Sequence, residues 1–369
     1  MTDLNDRATS SRTMFLEDET NLSRQLYTFD PMQDRRWDDL VASHPQASVF
    51  HQQGWLKALV ATYGYRPVVL TSTPQGKRLS DGIVFCEINS WLTGRRLVSM
   101  PFADHLQPLL DAPSAAEEYT QWAINECRRH KWNYIELRPQ TWDIPADFPL
   151  ATSQSFWLHT LNLEPSSEKL FRNLHKNCLQ RRIRRAEREQ LTCERGCSEA
   201  LLDDFYRLQM ITRRRHQLLP QPRAWFRNLA TFMSPHLEVR LARKDGRAIA
   251  AILTLRHGRT VVYKYGCSDV RFHSLAGMPF LFWKLIEESK ASGAEEIDFG
   301  RTELDNQGLI EFKDRFGTNR RQITYLRYSE NAGGKGVVES CLPGLRRIFS
   351  ILPDALSSTA GRLLYRHIG

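Results

Sequence analysis

LEVRLARKDGRAIAAILTLRHGRTVVYKYG, residues 237–266, predicts three consecutive β-strands joined by two tight turns. Lys244-Asp245-Gly246 and His257-Gly258 supply the turns, because glycine and aspartate adopt the backbone angles that hairpins need. MPFLFWKLIEESKASG, residues 278–293, follows as a helix closed by its last glycine, and EEIDF, residues 295–299, follows as a strand. The second half of the chain is therefore expected to fold as an α+β unit.

The first half of the chain repeats this order of elements. Two short helices are expected first, followed by three strands, a helix and another strand. Ile135 aligns with Ile297, and Ile83 with Ala248, at nearly the same offset, which indicates a tandem repeat. The segments are WDDLVASH (37–44), HQQGWLKALVATY (51–63), RPVVLTS (66–72), GIVFCEI (82–88), RRLVSMPF (95–102), AAEEYTQWAINECRRH (115–130) and NYIELRP (133–139).

We therefore predict an α+β protein built from two tandem units with mixed β-sheets, residues 31–160 and 161–330. A polar leader, residues 1–30, precedes them and holds six acidic and three basic residues. The second unit is expected to be the catalytic one, and it begins with a helical insertion, the basic helices of residues 166–217. An amphipathic, helical C-terminal tail, residues 331–369, follows the second unit.

Composition excludes several classes of protein. No apolar run approaches the ~18 residues that span a bilayer, and the leader lacks the apolar core of a signal peptide, so we expect a cytoplasmic protein. The 7 cysteines and 11 histidines form no ligand cluster, so we expect neither a metal nor a tightly bound cofactor. The net charge of +9 favours an anionic partner.

The positive charge is concentrated in EKLFRNLHKNCLQRRIRRAEREQ, residues 168–190, which holds eight basic and three acidic residues. Its apolar residues recur at helical spacing while Arg181, Arg185 and Arg188 fall on the other side, which predicts an amphipathic helix with a cationic face. We expect SEALLDDFYRLQMITRRRHQ, residues 198–217, to pair with it as a helical hairpin. The cationic face either binds an anion or is a solvated surface.

Arg213 and Arg215 end the second of these helices. Cations are favourable at a helix C-terminus because they complement the helix dipole. Arginine also binds phosphate through paired hydrogen bonds. Both interpretations of these two residues stay open.

EIDFGRTELDNQGLIEFKDRFG, residues 296–317, contains Asp298-Phe299-Gly300, which protein kinases use to bind metal. A kinase also needs a glycine-rich phosphate loop, a strand lysine and His-Arg-Asp ahead of that tripeptide. The sequence has none of these, so the kinase interpretation is excluded. Asp298 is expected to end a strand as a hydrogen-bond acceptor or to pair with Arg301.

The order helix, helix, three strands, helix, strand resembles that of GNAT acyltransferases. Residues 263–317, together with SMPFADH (99–105) and RRIRRAERE (181–189), resemble the FemAB family, the twin-GNAT aminoacyl- and acyltransferases of peptidoglycan bridge formation. The ending ILPDALSSTAGRLLYRHIG (351–369) is similar to the tails of FemAB-like proteins linked to exopolysaccharide and PEP-CTERM/exosortase systems.

One loop departs from the GNAT pattern. GNAT enzymes usually hold a pyrophosphate on backbone N–H groups of a loop patterned Arg/Gln-x-x-Gly-x-Gly/Ala. The corresponding stretch here is RFHSLAG, residues 271–277, in which Ser274 replaces the central glycine. A plain turn before a helix explains this stretch equally well.

The FemAB resemblance implies catalytic residues. Its Phe-Lys pair corresponds to Phe312 and Lys313, and the lysine is expected to stabilise the oxyanion that forms when an amine attacks an ester or thioester. Asp104 falls at the acid on the acceptor side, where it would orient or deprotonate the amine. A loop- or helix-capping role for Asp104 stays open.

The resemblance also implies substrate contacts on a cleft strand. Tyr263 and Tyr265 are expected to face the cleft and Lys264 the opposite side, because successive side chains of a strand alternate. Packing is the alternative for the tyrosines. Arg301 is expected to contact substrate with Arg181, Arg185, Arg213 and Arg215.

The expected activity is transfer of an acyl or aminoacyl group to an amine of a peptidoglycan or exopolysaccharide precursor, a saccharide or a peptide. The co-substrate is acyl-CoA or aminoacyl-tRNA, and the basic helix suits tRNA. The alternatives are a catalytically inert nucleic-acid-binding or scaffold protein and a small-molecule acyl-CoA transferase. The C-terminal tail is expected to dock on the protein or to contact the inner membrane peripherally.

Overall fold

The computed structural model describes residues 25–112, 115–142, 148–330, 361 and 363–367. Most of the predicted leader and tail therefore lies outside the described residues. No helix in the described part of the chain is long and apolar enough to cross a membrane.

The first half of the chain contains the two helices, three strands, helix and strand that the sequence predicts, with one added strand at each end. Gly64 ends the second helix in the left-handed conformation, φ 71°, that favours glycine. The elements are β1 (Tyr27–Phe29), α1 (Arg36–Ser43), α2 (Gln53–Tyr63), β2 (Arg66–Thr71), β3 (Ile83–Ser90), β4 (Gly94–Val98), α3 (Ala116–His130), β5 (Tyr134–Leu137) and β6 (Ala151–Asn162).

The second half contains the same series after a helical segment. Ser198 caps the long helix of that segment by accepting a hydrogen bond from the Leu201 N–H. The elements are α4 (Ser167–Asn173), α5 (Arg181–Arg188), β7 (Thr192–Gly196), α6 (Glu199–Arg215), α7 (Arg223–Met233), β8 (Leu237–Lys244), β9 (Arg247–His257), β10 (Thr260–Ser268), α8 (Gly277–Ala291), β11 (Glu296–Glu303), α9 (Gln307–Asp314) and β12 (Asn319–Tyr328).

All described strands form one mixed sheet in the order β1-β2-β3-β4-β5-β12-β6-β11-β10-β9-β8-β7. The series β2-β3-β4-α3-β5 of the first half recurs as β8-β9-β10-α8-β11, and in each half the last two strands are parallel. The predicted α+β fold with tandem units is therefore confirmed.

The two units exchange their final strands. β6 follows β5 in the chain but pairs with β11, and β12 follows β11 but pairs with β5. The exchanged strands also pair with each other, which joins the two units into one sheet. β6 crosses the position between residues 160 and 161 at which we divided the chain.

The predicted helical hairpin of the basic segment is wrong. β7 lies between α5 and α6 and pairs with β8 at the edge of the sheet. Ile183 of α5 belongs to the apolar cluster on one face of the sheet, and Phe205 of α6 belongs to the cluster on the other face. The mostly polar sequence of β7 hid this strand, because an edge strand buries little surface.

The basic helix is also interrupted. α4 ends at Asn173, and one turn of π-helix, Lys176–Gln180, precedes α5. The apolar stripe is buried as predicted, and Arg181, Arg185 and Arg188 are exposed.

The two units also pack through helices. The indoles of Trp55 on α2 and Trp225 on α7 are buried with their ring centroids 5.2 Å apart. Gly54 allows this approach, because an added Cβ would overlap the carbonyl oxygen of Phe232 and lie 2.7 Å from Sδ of Met233. Contact between the units therefore depends on a residue without a side chain.

The described end of the chain docks on both units. The guanidinium of Arg96 donates to the carbonyl of His367 (2.9 Å), and the hydroxyl of Tyr65 donates to the carbonyl of Tyr365 (3.2 Å). The hydroxyl of Tyr365 donates to the carbonyl of Leu219 in the second unit (3.0 Å). The expectation of docking on the protein body therefore holds for this short segment.

Gly54→Ala should lower the free energy of unfolding by about 1–3 kcal/mol, because the methyl group forces α2 and α7 apart. Gly308→Ala is the matched control, since Gly308 is also helical and an added Cβ there meets no atom within 4 Å. It should leave stability unchanged or raise it by about 0.5–1 kcal/mol. Urea denaturation measures both variants, and equal losses would contradict the packing argument.

Candidate active site

The strands β10 and β11 separate beyond a short paired region. The two strands pair in parallel only over Thr260–Val262 and Glu296–Asp298. Each strand then bulges, β10 between Tyr263 and Tyr265 and β11 between Asp298 and Arg301. A bulge bends a strand and redirects its side chains, so the carboxyl ends of the two strands diverge.

The β11 bulge is held by two side chains, Lys313 of α9 and Asp298 of β11 itself. Nζ of Lys313 donates to the carbonyl oxygens of Gly300 (2.8 Å) and Arg301 (3.0 Å). Oδ1 of Asp298 accepts the Gly300 N–H at 2.6 Å. Gly300 has φ 73°, and a Cβ there would lie 2.8 Å from Oδ2 of Asp104, so both its conformation and its contact favour glycine.

Asp104 forms a buried ion pair with Lys264. Nζ of Lys264 lies 3.0 Å from Oδ1 of Asp104, and their side chains are 6% and 17% exposed. Burial acts to raise the pKa of Asp104, but Lys264 and Arg301 outweigh it and hold the pKa below its ordinary value. Burial lowers the pKa of Lys264, and Asp104 opposes this shift. Asp104 is therefore an anion at neutral pH.

Lys313 is almost fully buried, with 3% of its surface exposed. Burial lowers its pKa to about 8, and the cations Lys264 and Arg301 act in the same direction. Asp104 and Asp298 oppose the shift. The ammonium form is therefore the major form at neutral pH and is lost as the pH rises through about 8.

Arg301 lies over two aromatic rings. Its guanidinium carbon is 4.0 Å from the centre of Phe156 and 5.1 Å from the centre of Tyr325. Its Nη1 is buried and has no hydrogen-bond partner among the described residues. The hydroxyl of Tyr325 donates to the carbonyl of Asp104 at 2.6 Å. Arg301 thus offers a free donor beside the Asp104 carboxylate.

His105 is a member of the cluster that the sequence interpretation missed. Its Nε2 lies 2.7 Å from Oδ2 of Asp298, and its Nδ1 lies 2.8 Å from Nε2 of Gln140. An amide NH₂ can only donate, so Nδ1 is the acceptor and the Nε2–H donates to Asp298. The available signal was its place next to Asp104, whereas 193 residues separate it from Asp298.

The prediction that both tyrosines face one side is wrong. Tyr263 packs on Phe282 with ring centroids 4.7 Å apart, in the apolar cluster on one face of the sheet. The hydroxyl of Tyr265 accepts the indole N–H of Trp225 at 2.9 Å on the other face, and burial raises the pKa of Tyr265 to about 12. The bulge between the tyrosines reverses the alternation and turns Lys264 toward Asp104.

A pocket of about 300 Å³ lies at the start of α8. The loop before it forms a short 3₁₀ helix, and Ala276 takes φ 61° ahead of Gly277. Asp269 is the acid on the pocket wall, and it is paired with Arg271 at 2.6 Å. The basic and aromatic lining includes Arg182, Arg215, His273, Phe312 and Arg315.

The predicted substrate residues are divided between surfaces. Arg215 and Phe312 line this pocket, whereas Arg181 and Arg185 lie on the exposed face of α5. Arg213 does not line the pocket; it is close enough to Tyr265 to lower the tyrosine's pKa against burial. Among the described residues, no group of three or more His, Cys, Asp or Glu is placed to hold a metal ion.

Comparison with known proteins identifies the fold. Residues 173–314 match the family described as acetyltransferase (GNAT) domain. A comparison with curated protein sequences gives no match. Among solved structures, FemX matches with a TM-score of 0.64 and 13% identity, covering 87% of this chain and 99% of FemX.

Two other solved structures share the fold over most of their length. L-PGS from Bacillus licheniformis matches with a TM-score of 0.52 and 11% identity, covering 86% of this chain and 95% of that one. A tandem GNAT protein from the clavulanic acid biosynthesis pathway matches with a TM-score of 0.53 and 11% identity, covering 84% and 100%. The resemblance to FemAB proteins is thus confirmed at the level of the fold, and residues 173–314 form an acyltransferase domain.

Lys264→Met should lower the free energy of unfolding by about 3–5 kcal/mol, because it leaves the Asp104 carboxylate buried without its nearest cation. Asp104→Asn should also be costly, and the double variant should cost less than the sum of the two. The matched control is the half-exposed pair Lys284 and Glu287, 2.9 Å apart, with an expected coupling of about 0.3–0.5 kcal/mol. Urea denaturation gives both cycles, and additive losses for the buried pair would contradict the coupling.

Proposed function

We propose that the chain is an N-acyltransferase that moves an acyl or aminoacyl group from a phosphate-bearing donor to an amine of a cell-envelope precursor. The observation that carries this proposal is the adjacency of two sites. Phe312 lines the pocket together with the arginines. The next residue, Lys313, belongs to the buried charge cluster with Asp104.

The pocket fits the phosphate groups of a donor. Arg182, Arg215 and Arg315 bring three guanidinium groups to its wall, and the acid on that wall is already paired. Guanidinium groups bind phosphate through paired hydrogen bonds. The N-terminus of α8 adds a positive helix dipole, which favours anions within its first turn.

Asp104 is suited to hold the acceptor amine. A carboxylate with a lowered pKa is a weak base, so it orients a neutral amine better than it deprotonates one. Of the two roles expected for this residue, we therefore propose orientation. The acceptor proton leaves as the new bond forms and is taken up by the departing donor group.

The transfer is proposed as a direct reaction in a ternary complex. The amine nitrogen attacks the carbonyl carbon, a C–N bond forms, and the C–S bond of a thioester or the C–O bond of an ester breaks. Negative charge develops on the carbonyl oxygen in the transition state. The free Nη1 of Arg301 is a donor for that oxygen, and the fixed ammonium of Lys313 stabilises the charge through the field it exerts in a dry site.

The donor is either an acyl-CoA or an aminoacyl-tRNA. The two donors would contact different sets of neighbouring arginines. Arg182 lines the pocket, whereas Arg181, Arg185 and Arg188 form an exposed cationic face of the same helix. A CoA thioester fits the pocket alone, whereas a tRNA backbone would also follow the exposed face.

The double variant Arg182→Gln with Arg215→Gln should weaken binding of either donor, because both substitutions remove positive charge from the pocket. Arg181→Gln with Arg185→Gln and Arg188→Gln should weaken tRNA binding and flatten its salt dependence while leaving acetyl-CoA binding unchanged. Filter binding of aminoacyl-tRNA and calorimetry with acetyl-CoA measure the two sets. Full affinity for both donors in the pocket variant would contradict the proposed donor site.

Lys313→Met should lower the rate of transfer by about 10²–10³. Lys313→Arg should recover little of that rate, since a planar guanidinium cannot repeat both carbonyl contacts. In the wild type the rate should fall as the pH rises through about 8, because the ammonium is lost there, and this fall should be absent from Lys313→Met. Single-turnover assays between pH 6 and pH 9 measure both effects.

Lys284→Met is the control, because Lys284 is a partly exposed lysine of α8 that pairs with Glu287 and is not part of the buried charge cluster. It should keep the wild-type rate and pH profile. A wild-type rate in Lys313→Met, or an unchanged decline near pH 8, would remove Lys313 from the mechanism.

A cell-envelope acceptor is supported by the fold shared with FemX and by the similarity of the tail to exopolysaccharide-linked proteins. Transfer to a lysine-containing peptidoglycan peptide, an amino sugar and a small amine should be compared under one donor. Transfer to the small amine alone would favour the small-molecule acyltransferase. Binding of nucleic acid without turnover on any amine would favour the inert scaffold.

A further inference from the structure

Two large apolar side chains are exposed on two segments of the chain that contact each other. Trp91, in the turn between β3 and β4, is 84% exposed, and Leu363 is 57% exposed. The ring of Trp91 lies 5.3 Å from the ring of His367, which follows Leu363 by about one helical turn. A tryptophan with most of its surface in water marks a candidate interaction site, because its exposure is unfavourable.

The turn is held rigidly against the end of the chain. Oγ of Ser90 accepts the N–H groups of Leu92 (3.1 Å) and Thr93 (2.8 Å) and lies 2.9 Å from Nδ1 of His367. The hydroxyl of Thr93 donates to the carbonyl of His367 at 3.1 Å. Trp91 and residues 363–367 are therefore held together, and we call the surface that they form the platform.

Two exposed cationic side chains lie on or beside this platform. Asn133 donates its N–H to the carbonyl of Arg95 (2.7 Å) and its amide to that of Thr93 (3.3 Å), which brings the basic end of α3 beside the turn. Lys131, at that end, and Arg366 are both exposed, and neither has a carboxylate partner in the described part of the chain. Beyond Arg366, the sequence of residues 341–369 holds three more arginines and one aspartate.

We propose that this platform docks on an anionic lipid surface. The residues that would contact the lipids are Trp91, Leu363 and Arg366 of the platform and the neighbouring Lys131. Tryptophan is favoured at the boundary between headgroups and acyl chains, because its ring is apolar and its N–H is polar. Each lysine or arginine near such a surface is attracted by the negative potential of the lipids. The combination of one exposed indole, one exposed leucine and unpaired cations fits a bilayer better than a folded partner, whose binding would need a larger shaped surface.

The test uses the full chain and vesicles of phosphatidylcholine alone or mixed with phosphatidylglycerol. Co-sedimentation should occur with the mixed vesicles only. Trp91→Ala should weaken that binding about ten-fold, because it removes much of a large apolar side chain from the interface. Lys131→Ser with Arg366→Ser should weaken it by about five-fold per charge at low salt and by less at high salt.

Matched controls are Val270→Ala, an apolar residue that is 53% exposed elsewhere, and Lys77→Ser at the other end of β3. Both should retain wild-type vesicle binding, and all variants should keep the wild-type melting temperature. Equal binding to both kinds of vesicle, no binding to either, or unchanged binding by Trp91→Ala would overturn the proposal. Self-association without lipid that Trp91→Ala abolishes would instead assign the platform to a second copy of the chain.

Discussion

The candidate centre depends on the contact between the ammonium of Lys313 and the carbonyl oxygens of Gly300 and Arg301. Hydrogen bonds to a charged group such as this ammonium contribute about 1.5–3 kcal/mol each. Through them, Lys313 ties α9 to the bulge of β11. Gly300 then presents a backbone without a side chain to the carboxylate of Asp104. The close approach of the bulge to the charge cluster thus involves one lysine and one glycine.

The exchange of strands explains why the cluster contains residues from both units. β12 runs between β5 and β6, so Tyr325 of the second unit reaches the Asp104 carbonyl of the first. Asp298 of β11 is paired with His105 across the same junction. The second unit alone contains Lys313, Asp298 and the bulge, but Asp104 and His105 come from the first unit. The second unit by itself would therefore keep the arginine-lined pocket at α8 but lose Asp104, the residue that we propose orients the acceptor.

The tandem α+β architecture was predictable, because hydrophobic periodicity and turn residues are local signals that the sequence carries directly. The strand exchange was not, since it depends on pairing between residues far apart in the chain. The tyrosines of β10 were misplaced for a similar reason: one extra residue at the bulge reverses the alternation, and no local signal marked it. Lys264 consequently faces Asp104, although strict alternation had placed it on the opposite side. His105 was missed because its partner Asp298 is distant in sequence.

The segment 296–317 contains aromatic residues as well as charged ones. Phe299 stacks on Phe282 with centroids 5.1 Å apart and planes inclined by 8°, and Phe316, one turn after Phe312, packs on the same ring at 4.9 Å. These rings belong to one apolar cluster, and burial of Lys313 is what lowers its pKa to about 8. In a wetter site the ammonium would be screened, and its field at a developing oxyanion would weaken. The same short stretch thus contributes both aromatic side chains of this apolar cluster and the buried lysine.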